Sequence, residues 1–146
     1  YPPAELHPRI ALYREALTGA GHDPAAKEVL GKFHIYVADS AAAARDQAAP
    51  FLDNYYAVAN AHRVGQLEGV EALRSFDTQL ARGSIIAGDP ARCIDAIRFW
   101  VERLGLTAIS GNFHFGGMPQ ELALKNIRLF ADKVMPAFHP SVALQP

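Results

Sequence analysis

The chain has 146 residues, half of them hydrophobic and 20% charged, with 14 Lys and Arg against 15 Asp and Glu. That is the length of one ordinary domain, able to bury roughly 68–70% of its extended surface. The composition excludes a disordered chain, and a formal charge of −1 gives no counterion-release term to hold nucleic acid.

Cys93 is the only cysteine, so neither an intrachain disulfide nor a Cys-rich metal site is available. No apolar run reaches the roughly 18 residues a bilayer span needs, and no basic segment precedes an apolar one at the N-terminus. The expectation is a cytoplasmic protein without a membrane segment. The opening Tyr1-Pro2-Pro3 lacks an initiator Met, which implies processing or a piece of something longer.

Leu6, Ile10, Tyr13 and Leu17 recur at helical spacing across residues 4–17. Pro8 is expected near the start of that helix, since a mid-helix proline costs about 3 kcal/mol. Gly19-Ala20-Gly21 ends it. Lys32 to Ala38 alternates, with Phe33, Ile35 and Val37 facing one way and His34, Tyr36 and Ala38 the other, which predicts a strand. Asp39 and Ser40 offer caps to a helix opened by the alanine run 41–44. Pro50 is expected to break or kink it, leaving a second piece from Phe51 to about Ala61. Within residues 60–83 the spacing predicts a helix over Val70–Leu80.

Ser84-Ile85-Ile86-Ala87 reads as a short buried strand. Asp89 and Pro90 then hold the N-cap and first-turn positions each prefers, ahead of a helix with Ile94, Ile97, Trp100, Val101 and Leu104 on one face. Leu106 to Ser110 is a third strand, residues 111–117 form a glycine-bounded loop, and Pro119 opens a last helix that Pro136 closes. Strands alternating with helices pair in parallel through right-handed crossovers, so the class is α/β. Three strands are fewer than a doubly wound sheet or a closed barrel uses. No repeat or linker divides residues 1–146, which are treated as a single unit.

Glycine-rich phosphate loops, nucleophile elbows and paired histidines at helical spacing are all missing. A metal centre has no support. Asp89 reads as a structural cap, because its charge would oppose a phosphate and Pro90 deletes a donor. His34 reads as a core imidazole with a hydrogen-bond partner. The loop Gly111-Asn112-Phe113-His114-Phe115-Gly116-Gly117 is the best candidate for chemistry. It leaves the carboxyl end of a parallel strand, the edge where α/β proteins place ligands. Phe113 and Phe115 flank His114, so an imidazole could face a cavity from which the rings exclude water. A tight turn with two core phenylalanines and a surface histidine fits the same residues equally well.

The runs Gly88-Asp89-Pro90-Ala91-Arg92-Cys93-Ile94, Phe113-His114-Phe115-Gly116-Gly117-Met118-Pro119 and Leu129–Phe138, with Arg9–Ala16 and Val37-Ala38-Asp39 before them, resemble the luciferase-like, flavin-dependent monooxygenases. The resemblance implies a TIM-type (β/α)8 barrel, of which this chain would be the C-terminal part, about three βα units. A typical barrel has ~250 residues. It further implies an enzyme that uses reduced FMN, supplied by a flavin reductase, and molecular oxygen to oxidise a small organic substrate, with a deazaflavin as the alternative cofactor. A homo-oligomer, in the simplest case a dimer, goes with it. His114 would be the catalytic residue, at a position where luciferase-type members often carry Glu, with Asn112, Phe113 and Phe115 in the substrate pocket. The first five strands would hold most of the cofactor's phosphate contacts, so no cofactor-binding residue is assigned and the isolated chain is expected to be inactive. The competing reading is a non-catalytic truncated barrel relative, a binding or assembly module pairing through an open sheet edge. A small flavodoxin-like domain is a weaker third.

Overall fold

A computed structural model of the chain describes residues 3–61 and 75–138. Helix α1 spans Pro3–Gly19 and strand β1 Leu30–Val37, followed by α2, Ala41–Ala61, and α3, Phe76–Ala81. Strand β2 is Ile85–Gly88, α4 is Pro90–Leu104, β3 is Ala108–Asn112 and α5 is Gln120–Lys133.

The capping residues act as their chemistry requires. Asp89 accepts a hydrogen bond from the Arg92 amide at 3.0 Å, and Gly105, at φ 62°, closes α4 in the left-handed conformation. Pro8 is the sixth residue of α1, near its start, but Pro50 departs from expectation: α2 runs through it as one helix, not two pieces. The third strand lies two residues later than the hydrophobic run implied, which makes Asn112 its last residue rather than part of the loop. Of the helix expected over Val70–Leu80, the described part begins at Phe76, behind a Ser75 cap; residues 62–74 lie outside the described residues.

The three described strands are parallel and run in the order β2-β1-β3. Tyr36 stands opposite Ala87 on one side, and His34 opposite Asn112 on the other. This confirms the α/β class with a parallel sheet, whose central strand among the described residues is β1.

Both faces of the sheet are covered, as an all-parallel sheet demands. On one face Tyr36, Ala38, Ile85 and Ala87 meet Ala44, Ala48 and Leu52 of α2 and Phe76 of α3. On the other, Phe33, Ile35, Val37 and Ile86 meet Cys93, Ile97, Trp100 and Leu104 of α4, with Leu6, Ile10, Leu129 and Phe130 from α1 and α5. The alternation along β1 thus sorts its side chains into two cores. Helices α2 and α3, which follow β1, cover the first face and α4, which follows β2, covers the second, so the covering helices change face beside β1. That change of face, at the carboxyl ends of β1 and β3, is where open α/β sheets hold ligands.

Candidate functional site

The segment after β3 fills this position. Phe113 turns to one core, its ring 4.9 Å from Phe130 in an edge-on arrangement, while Phe115 is buried in the other with Met118. His114 between them is exposed. Its Nε2 lies 2.8 Å from the Met118 carbonyl oxygen. A carbonyl can only accept, so this nitrogen carries the proton and donates, leaving Nδ1 as the ring's free acceptor. Gly116 and Gly117, at φ 60° and 79°, make the turn. Asn54 of α2 donates to the Gly116 carbonyl at 2.8 Å, docking the helix on the loop.

His34 was expected to be an ordinary core imidazole with a partner, and the structure corrects this. It pairs with Asn112 across the strands, which brings it beside the loop. Its ring centroid is 4.7 Å from Tyr55, 6.3 Å from Tyr56 and 5.2 Å from Phe115. Its Nδ1 is buried and has no hydrogen-bond partner among the described residues. Burial, and secondarily the charge of Lys32, lower its pKa from 6.5 to about 4, so it is neutral at pH 7. Burial likewise raises the Tyr36 and Tyr56 phenols, with Tyr55 adding to the latter. Tyr36 donates its hydroxyl proton to Gln47 Oε1 at 3.1 Å.

Asn112, Phe113, His114 and Phe115 therefore lie together at the expected edge, with the two rings on opposite faces. Sequence reasoning missed His34, Tyr55 and Tyr56, whose proximity depends on strand register and on α2 running unbroken through Pro50. The crevice lined by His34, Tyr36, Leu52, Phe76, Ala87 and Phe115 is filled by side chains, with no room for a water molecule. An open groove of about 680 Å³ lies elsewhere, beside β2, between α3 and α4, walled by Phe99 and Trp100. Cys93 is fully buried and its thiol is pushed up to about 12, chiefly by burial. Among the described residues no cluster of His, Cys, Asp and Glu is suited to a metal ion, and no helix is long and apolar enough to cross a membrane.

Comparison with known proteins adds three findings. The luciferase-like monooxygenase family model matches residues 1–108, ending at the first residue of β3. Comparison with curated proteins gave no match. Among solved structures, monooxygenase RslO1 from Streptomyces bottropensis is similar over 94% of the chain, at 25% identity and a TM-score of 0.72. That match occupies 39% of RslO1, so the chain spans well under half of that protein's length.

Proposed function

The chain belongs to the luciferase-like monooxygenases, and from that premise we propose that it forms one wall of a flavin-dependent monooxygenase site. It would be the C-terminal portion of a longer enzyme that acts on a small organic substrate with reduced FMN and molecular oxygen. A deazaflavin is the alternative cofactor, and a flavin reductase the partner that supplies reduced FMN. The observation that carries the reading is the unpartnered, buried Nδ1 of His34 among three aromatic rings where the covering helices change face.

An orphaned polar atom bordered by ring faces suits a flat heteroaromatic group with hydrogen-bonding edges. The rings of His34, Tyr55 and Phe115 pack on one another without room for a water molecule, so the flavin, which when bound supplies the oxygen-activating chemistry, would meet this cluster only where the rings part to admit it. The phosphate has no counterpart grip here, since Asp89 and Pro90 occupy the N-terminus of α4. Phe115, on the His34 face, would exclude water from the reacting region, while Phe113 packs in the opposite core. His114, its Nε2 proton fixed on Met118, would accept a proton from substrate at Nδ1.

The test is oxygen uptake coupled to substrate oxidation by the complete product of the encoding reading frame, with reduced FMN supplied enzymatically. His114→Ala is expected to slow turnover by about 10²-fold or more with the circular-dichroism spectrum unchanged. Failure of the complete protein to bind any flavin removes the reading, and an unchanged rate clears His114.

The filled crevice beside His34 favours a second reading, the non-catalytic assembly module. Tight self-association of the chain with no effect on flavin fluorescence supports that alternative.

A further inference from the structure

β3 stops at Asn112, opposite His34, yet β1 continues to Val37. Beyond that point the edge of β1 loses its neighbour while it is still buried, and its backbone groups need new partners. Asn126 of α5 supplies them. Its Oδ1 accepts from the Val37 amide at 2.8 Å, and its Nδ2 donates to the Ile35 carbonyl at 2.9 Å and the Phe113 carbonyl at 3.2 Å. The side chain is 1% exposed and is the one buried polar residue among those described.

A side-chain carboxamide has the same acceptor and donor as a peptide unit, plus one further N–H. Asn126 uses the pair to extend the ladder on β1, and spends the extra N–H on the residue that precedes His114. We infer that Asn126 is a positioning residue of the candidate site: it replaces the strand that β3 no longer provides and fixes where the His114–Met118 turn begins. It touches no reacting group itself. The inference rests on the functional reading only in treating His114 as part of the site.

Asp has nearly the volume of Asn, so Asn126→Asp removes the donors while keeping the shape; Asn126→Leu keeps the branching in a bulkier side chain and removes all three bonds. The readout is the ¹⁵N chemical shift of the His114 ring nitrogens in the folded chain, which reports the tautomer held on Met118. In the native protein the Nε2–H form is expected to dominate. In Asn126→Asp, with the circular-dichroism spectrum retained, the two tautomers are expected to mix, and Val37 amide exchange in Asn126→Leu to accelerate about tenfold or more. Unchanged His114 shifts in folded Asn126→Asp would overturn the inference. If neither variant folds, the native protein decides: through-bond couplings from Asn126 Nδ2 to the Ile35 and Phe113 carbonyls are expected, and their absence overturns it. None of these readouts needs flavin. Failure of the complete protein to bind any flavin would defeat the functional reading while leaving the Asn126 result intact.

Discussion

The imidazole of His34 and the ring of Phe115 stand with centroids 5.2 Å apart, joining the middle of the central strand to the loop after the last one. Neither residue explains the other in sequence. The contact exists because β1 and β3 pair at His34 and Asn112, so the loop folds back over the face that His34 presents.

Neutral His34 makes stability depend on pH. Its folded-state pKa is lowered from 6.5 to about 4. As pH falls through 6.5 the unfolded chain takes up a proton that the folded chain refuses until about 4. Stability from this group is therefore present above that window and is lost within it, by about 2–3 kcal/mol in total. Urea melts of the native chain and His34→Leu between pH 7 and 4 measure the effect. The native midpoint should fall more than that of the variant, and parallel curves would count against it.

Gly116 and Gly117 separate conformation from crowding. Both have positive φ, and either substitution by Ala carries the left-handed penalty of about 1–2 kcal/mol. A Cβ at Gly116 would also overlap the Phe51 carbonyl of α2, whereas at Gly117 only the Asn54 amide lies near, at 3.9 Å. Gly116→Ala should cost clearly more than Gly117→Ala in thermal unfolding and should loosen the Asn54 contact. Equal losses would mean that α2 does not press on the loop.

In the core, Ile35 is fully buried and Leu12 is 66% exposed. Truncation of Ile35 to Ala should cost about 2–5 kcal/mol, the transfer and cavity terms together. Leu12→Ala should stay within about 0.5 kcal/mol of the native chain. Chemical denaturation of the two variants orders them directly.

Cys93 should be inert. With the thiol held near 12 by burial and within 3.7 Å of the Gly88 carbonyl, almost no thiolate exists at pH 8. A disulfide reagent at that pH should modify the chain only as fast as it unfolds. Rapid modification of folded protein would place Cys93 elsewhere.

Local physics made much of this legible. The strict alternation of residues 33–38 foretold which side chains enter which core, and Asp89, Pro90 and Gly105 marked α4 at both ends. The loop around His114 was found because it follows a strand and carries rings beside glycines. Strand order was not legible, since a short β2 reveals nothing of which neighbour it takes. Pro50 misled for a related reason: tertiary packing of Ala44, Ala48 and Leu52 on the sheet holds α2 together across it. Asn126 gave no signal, because one polar residue among Leu122, Ala123, Ile127 and Phe130 becomes meaningful only opposite the unpaired edge of β1.

The most direct test compares two flavins on the chain itself: FMN, and lumiflavin, which has the ring without the phosphate. Imidazole and tyrosine-ring signals are followed by NMR during each titration. A wall that meets the ring alone should give saturable shifts at His34, Tyr55 and His114, of similar affinity for both ligands. Shifts confined to Phe99 and Trp100, or none at all, would contradict the assignment of this edge as the site.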